Sequence, residues 1–490
     1  MMILLLAQAA VFTGNKACEL CHKAIFENYR RTPMARSSGP VAGGGGVPPG
    51  AFRHTASGIN YRVDSRGIAA GRKFTYFIGS GAAGRSYLFT LEGFLFQAPI
   101  TWYSQKHRWD MSPGYEADRH PLWNRAVTPN CLFCHASQAR PVYGTVNRYA
   151  EPPFIQDGVG CERCHGPGSE HIAGRGRMVN PAKLDPARRD SVCSQCHLAG
   201  EARVEKSGRQ LAMYRAGDLL ADVASYFVAP GGRGAVGIKA TGYVERFQGS
   251  RCKQVSGDKI WCGSCHDPHT LPTPERRVAY FRQKCMSCHR QPHADAAGLD
   301  CISCHMPRER VVDGGHGVLT DHGIPRKPLE TVPAPPSDEE AAWKLEPFLS
   351  GGGGEARELG LAYAEVGVRL GSRRQQDEAI RLLSHANVDS EVAVRLADLL
   401  QRQGQIARAE QLYRAAMRRP PVSIVALVNL GIIVGSRGDY EEAVRLGRLA
   451  LEQNPGQREA AINLVGVLRA LGRMDEAAKV EESMRRFEAH

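Results

Sequence analysis

The chain has few aromatic residues, 7% of 490, no acidic excess and no long apolar run. No segment approaches the roughly 20 consecutive apolar residues that span a bilayer, so the mature chain is expected to have no transmembrane helix. The formal charge of +13 comes without an RNA- or DNA-binding signature, which argues against nucleic acid as a partner. At 42% hydrophobic the chain reads as globular rather than disordered, yet 53 glycines and 29 prolines imply much loop. With so few large rings, something besides side chains is expected to help fill the interior. The length also exceeds what one core organises, which predicts two or more domains.

What the chain does have is cysteine, 15 of them, spaced too regularly for a disulfide framework and too many for an ordinary cytosolic enzyme. One five-residue unit, Cys-x-x-Cys-His, recurs seven times. Its members are Cys18, Cys21 and His22; Cys131, Cys134 and His135; Cys161, Cys164 and His165; and Cys193, Cys196 and His197. Cys262, Cys265 and His266, then Cys285, Cys288 and His289, and finally Cys301, Cys304 and His305 complete the set. Two thiols three positions apart reach the two vinyl groups of one porphyrin while the adjacent imidazole lies beneath the iron. The pattern therefore predicts seven covalently attached c-type haems with those seven histidines as proximal ligands. From these residue frequencies chance supplies roughly 0.02 copies of the motif. Structural zinc also uses paired cysteines, but it does not require a histidine after every second one. Cys252 is left over, either a buried thiol or a site of intermolecular or redox chemistry, because pairing it internally would cost a haem bond.

A sixth iron ligand is the next requirement, and eight further histidines lie in the cysteine-bearing region. His171 and His269 follow their motifs within short turns, His293 stands four residues after His289, and His316 and His322 follow the last motif in a glycine-rich loop. These five and His54 are the expected distal ligands. His107 and His120 sit among Trp102, Tyr103, Trp109 and Trp123, where packing or hydrogen bonding competes with ligation. Six ligands for seven irons would leave one haem capped by His107, His120 or Met111, or open to a small molecule. Haem also alters the charge balance: each ferric haem contributes about −1, so much of the arginine and lysine is expected to pair propionates rather than to form a solvated basic surface.

The N-terminal Ile3–Leu6 run and Ala7–Gln8–Ala9 resemble the end of a secretory signal without its basic start, so residues 1–12 are expected to be a residual signal of a periplasmic or otherwise exported protein. Residues from about 50 to 110 alternate apolar and polar, as in Phe74, Tyr76 and Ile78 and in Tyr87, Phe89 and Leu91, which predicts short strands. Gly79, Gly81 and Gly84 mark the turn between them, and a phosphate-cradling role is weak because no strand-to-helix step with a lysine follows. A second small strand cluster is expected near 211–244. The haem domain is thus placed at 13–328, with a Pro/Gly linker at 329–354 that holds Pro333, Pro335, Pro336 and Gly351 to Gly354. Beyond it, Gly404, Gly438 and Gly472 recur every 34 residues, as do Ala409, Ala443 and Ala477, and Pro421 and Pro455 close successive units. That period predicts a tetratricopeptide-repeat solenoid over 355–490, with three good repeats and a degenerate one at about 357–387. Such arrays present a groove to a peptide or protein ligand, though stabilising or dimerising the cytochrome is an alternative role.

Taken whole, the chain resembles the bacterial multihaem cytochromes c that end in tetratricopeptide repeats, relatives of the tetrahaem respiratory cytochromes and octahaem hydroxylamine oxidoreductases. The resemblance is carried by Cys161 to His171 (Cys-Glu-Arg-Cys-His-Gly-Pro-Gly-Ser-Glu-His), Cys262 to His269, Cys301 to Pro307 and Asp321-His322. It implies a fold of short helices, loops and small β-hairpins wrapped around stacked haems, then an all-α solenoid, with haem packed on haem as a wire. Every motif here ends in histidine, so the lysine-ligated motif of nitrite reductases is absent and that activity is in doubt. The leading expectation is an electron carrier between redox partner proteins. The alternatives are a multihaem oxidoreductase whose open haem acts on a small nitrogen or sulfur compound, and a scaffold in which the repeats are primary. Removing residues 355–490 is expected to leave haem spectra intact under all three.

Overall fold

The computed structural model describes residues 11–41, 46–229, 238–289, 300–326, 344–349 and 355–488. The first helix, α1 (Asn15–Tyr29), carries the first motif and departs from helical geometry at His22, where φ is −114° and ψ 38°. After it comes the main sheet, ordered Ser38–Pro40, Tyr76–Ile78, Arg85–Leu91, Phe94–Tyr103 and Arg125–Ala126, with Arg108–Met111 pairing the far half of Phe94–Tyr103. Its antiparallel hairpin turns through Gly79 to Gly84, where the glycines were expected to be structural. Alternation along Phe94–Tyr103 points Phe94, Phe96, Ala98 and Ile100 into an aromatic cluster with Tyr87, Phe89, Trp109 and Trp123. Leu95 on the opposite face joins Leu88, Val127 and Leu132. Leu132 belongs to α2 (Pro129–His135), so the sheet seats the second motif.

A two-stranded ribbon, Ser137–Pro141 with Tyr149–Gln156, leads from there to α3 (Glu162–His165) and α4 (Ser169–Ile172). The fourth motif closes α5 (Pro186–His197), whose start is set by Pro186 and by the Asp185 side chain accepting the Arg188 N–H. Five helices follow, α6 (Tyr243–Gln248), α7 (Arg251–Ser256), α8 (Cys262–Cys265), α9 (Pro274–Met286) and α10 (Cys301–His305), and the remaining three motifs begin on the last three of them. Only α6 and α7 in this group carry no haem-attachment motif. The hairpin Arg308–Arg310 with Val318–Thr320 then delivers the chain to His322.

In the second cluster the strand Ala224–Val228 pairs with Ala202–Glu205 on one side and with Glu346–Pro347 on the other. Part of the stretch expected to be a linker is therefore a sheet strand, because its backbone groups find partners on Phe227 and Val228. The rest of 329–354 lies outside the described residues apart from this short segment.

Eight helices form the solenoid: α11 (Ala356–Leu370), α12 (Arg373–Leu383), α13 (Ser390–Arg402), α14 (Ile406–Ala416), α15 (Ile424–Ser436), α16 (Tyr440–Gln453), α17 (Arg458–Ala470) and α18 (Met474–Arg485). The unit read as degenerate is the regular pair α11 and α12. Gly404, Gly438 and Gly472 sit at φ of 78°, 87° and 73° in the turn inside each later pair, a left-handed geometry that side chains resist. The periodic alanines pack at the helix crossings, Ala409 and Ala477 at 1% exposure or less.

The solenoid shares its core with the haem-bearing part at both ends. Leu361 and neighbouring α11 residues join one cluster with Ala202, Val204, Phe227 and Leu345. At the far end Phe487 packs edge-on against Phe96 at 5.1 Å, and its carbonyl accepts the Trp123 N–H at 2.8 Å. Arg72 adds hydrogen bonds to the carbonyls of Arg486 and Glu488, and Asn124 Nδ2 one to that of Gly456.

Candidate functional site

A helix places positions i and i+3 on one face, and every motif begins on or at the end of a helix. The motif histidine then falls where the helix ends: His135, His165, His197 and His305 are last residues, and His266 caps α8. The neutral imidazole is the ligand form, and burial pulls His135, His165, His197 and His322 below the ordinary histidine range, which keeps them neutral.

Three pairs of imidazoles form across long sequence distances. His22 meets His171 with ring centroids 6.4 Å apart and planes at 18°; His165 meets His269 at 5.8 Å and 15°; His266 meets His322 at 6.1 Å and 30°. Two imidazoles on one iron place their centroids about 6 Å apart, from metal–nitrogen bonds of about 2 Å and the ring radii. Several of these rings are also held through Nδ1. His165 uses the Val179 carbonyl at 2.7 Å, His171 that of Gly176 at 3.3 Å, and His322 that of Thr320 at 3.0 Å. His305 does the same with Pro325 at 2.9 Å, and His269 Nδ1 lies 3.4 Å from Asp267. A carbonyl on Nδ1 fixes the tautomer and leaves Nε2 for a metal. Among the described residues no three His, Cys, Asp or Glu side chains gather as a metal-ion ligand set, so paired imidazoles and paired thiols are what the chain offers, a set that fits haem.

Other expected ligands are placed differently. His54, 5% exposed, has Nδ1 2.8 Å from Ser57 Oγ and Nε2 3.0 Å from the Glu116 carbonyl, so both ring nitrogens are engaged. His316 has Nε2 2.8 Å from Asp110 and packs edge-on to Tyr103. Both make hydrogen bonds in this arrangement, which spacing alone could not show. His107 and His120 are exposed, and Met111 is buried in the aromatic cluster. His293 lies outside the described residues. Cys252, on α7, has its thiol pushed up by burial, with Cys288 nearby.

The motifs also touch one another. The Cys18 and Cys161 thiols are neighbours, as are Cys134 and Cys196, Cys193 and Cys262, and Cys285 and Cys301. The first and third motifs are further tied by a residue that spacing did not flag: Glu162, 5% exposed, accepts the backbone N–H of Thr13, Gly14 and Gly168 at 2.7–2.8 Å. Asn15 returns the contact by accepting the Cys161 N–H at 2.8 Å. A buried acid between the two cysteines of a motif is the signal that could have found it.

A cavity of about 400 Å³ lies under Arg31, Arg36, Arg85, Ser80, Tyr87 and Trp102, and among the described residues no acidic side chain lines it. The Arg85 guanidinium stacks 4.3 Å over Phe77, and its Nε is buried with no partner. Ser37, next to Arg36, donates its hydroxyl to the His135 carbonyl at 2.8 Å, which places the cavity wall beside the second motif.

Comparison with known proteins matches these parts. Residues 100–166, which hold the second and third motifs, match the family described as cytochrome c554 and c-prime. Residues 394–458 and 436–485 match tetratricopeptide-repeat families. The multiheme cytochrome MtrA of Shewanella baltica (strain OS185) is 25% identical over 215 residues, 40% of this chain, and the chain spans 48% of that relative's length. Solved structures of MamA align at TM-scores of 0.24 and 0.23 with 24% and 26% identity, covering 26% of this chain and 73% and 72% of theirs. Among the described residues no helix is long and apolar enough to cross a membrane. With its motif-bearing helices, its small sheets and its repeat array, the chain is a multihaem c-type cytochrome followed by a tetratricopeptide-repeat solenoid.

Proposed function

We propose that this protein is an exported heptahaem electron carrier, in which the solenoid helps to recruit a redox partner. The three imidazole pairs at 5.8–6.4 Å carry the reading, because an iron with two imidazoles has no open position and is suited to electron transfer alone. Bound haem would supply one-electron chemistry at its iron. The chain's own residues do the rest: fourteen cysteines fix seven cofactors, histidines hold them from both sides, and carbonyls on Nδ1 fix the ring orientations. Contacts between thiols of motifs one and three, two and four, four and five, and six and seven support closely spaced centres along the body. The N-terminal apolar run supports export, since haem attachment and electron relay outside the cytoplasm require it to be delivered there. Intact-protein mass counts the haems, and electron paramagnetic resonance of the oxidised protein counts open irons; fewer than seven haems, or several high-spin ones, defeats the carrier reading.

A second reading, an oxidoreductase acting on a small nitrogen or sulfur compound, is favoured by one place. The arginine-lined cavity lies against the segment that carries His135, which, like His197 and His289, pairs with no second imidazole ring among the described residues. One stoichiometric high-spin haem that shifts on adding a small anion would put this reading first.

A further inference from the structure

Helix α6, though it carries no cysteine, touches the fourth motif and the segment around His322 through Tyr243, Glu245 and Arg246. The Tyr243 ring stands edge-on to His197 at 5.6 Å and 64°, and to His322 at 4.9 Å and 79°. Glu245, 6% exposed, accepts the backbone N–H of Ala199 at 2.8 Å and that of Gly200, the turn that follows His197. Arg246 reaches the other way: its Nε donates to Asp321 Oδ1 at 2.7 Å, and its second nitrogen grips the other carboxylate oxygen. Asp321 is fully buried and also accepts the Gly323 N–H at 2.8 Å, so both neighbours of His322 are pinned by one carboxylate.

We infer that Arg246 is a positioning residue for His322, and that α6 acts as a clamp that fixes the fourth motif to the segment carrying His322. This rests on the reading that His266 and His322 share an iron. The planar guanidinium satisfies both oxygens of a desolvated carboxylate at once, which a lysine ammonium cannot match. Without it a buried charge is left unpaired, and the Asp321–Gly323 turn loses the constraint that aims the His322 ring. Tyr243 completes the arrangement by filling the space between the His197 and His322 rings.

The test compares His322→Ala, Arg246→Met and Arg246→Lys in the full-length, haem-loaded protein by electron paramagnetic resonance, integrated against total haem. H322A should move one haem's worth of low-spin intensity to high spin and so mark the signal that belongs to this pair. R246M should shift or broaden that same signal, or convert part of it, with the other signals unchanged, and R246K should fall between R246M and the unmodified protein. If H322A removes a signal that R246M leaves in place, the positioning role is wrong. If R246M diminishes every signal alike, α6 is general packing and the inference also fails. An unchanged H322A spectrum would instead remove His322 from the ligand set, a failure of the underlying reading. Should R246M not accumulate, Asp321→Asn keeps the volume while removing the charge, and it must perturb the same signal for the inference to stand.

Discussion

His54 and His171 look alike as isolated histidines in a cysteine-rich chain, and their ring nitrogens tell them apart. His171 spends Nδ1 on a carbonyl and lies 6.4 Å from His22, whereas both nitrogens of His54 are taken by Ser57 and Glu116. Replacing His171 with alanine should therefore convert one low-spin haem to high spin in the paramagnetic resonance spectrum. His54→Ala should leave that spectrum alone and cost about 2 kcal/mol in a urea titration, since it breaks two buried hydrogen bonds worth about 1 kcal/mol each. Glu162 makes a sharper case, because three backbone N–H groups lose their acceptor when it goes. Glu162→Ala is expected to lower stability by about 3 kcal/mol, and Glu162→Gln, which retains an acceptor, by less.

Helix ends are where the elements of this protein meet. Asp389 caps α13 through the Val392 N–H at 2.9 Å, binds Arg357 Nε at 2.7 Å and accepts the Ser207 hydroxyl at 2.9 Å, so one carboxylate joins two solenoid helices to the haem-bearing part. Burial alone would raise its pKa, but the Val392 N–H, Arg357 and Ser207 together hold it below the ordinary aspartate value. A lowered folded-state pKa gives stability that is full above the unfolded value of about 3.9 and is lost as pH falls through the folded value. Asp389→Asn keeps the cap and loses the charge, so its unfolding midpoint should lie below that of the unmodified protein at pH 7, with the gap closing in acid. A gap that persists unchanged at low pH would mean the charge contributes nothing.

For the whole molecule, the repeat array is part of the body and not an appendage. Ala202, Val204 and Phe227 share a core with Leu361, and Phe487 fills the space against Phe96 at the opposite end. Phe487→Ala should cost about 3–5 kcal/mol, the usual range for emptying a buried aromatic site, as read by chemical denaturation. Cutting the chain after residue 354 strips both contacts. The shortened protein is expected to unfold at lower denaturant than the full chain, even where its haem spectra stay intact as the sequence suggested. Equal midpoints would show that the two parts fold independently.

The covalent chemistry was legible in the residues themselves, because a thioether-linked haem needs two thiols and an imidazole within five consecutive positions. The 34-residue period was legible for a similar reason: each repeat restates its own turn glycine and crossing alanine, as at Gly404 and Ala409. Strands such as Arg85–Leu91 showed through their alternation. Partnership did not show, because it is a matter of distance between residues far apart in the chain. Spacing could not pair His22 with His171 or His266 with His322, nor find the hydrogen-bond partners of His54 and His316. The stretch expected to be a linker became a strand at Glu346–Pro347 because an edge on Phe227 and Val228 was open to receive it. Local covalent geometry and repeat length are written in order along the chain; which imidazole meets which, and which helix packs against them, are decided only when the packed core brings distant residues together.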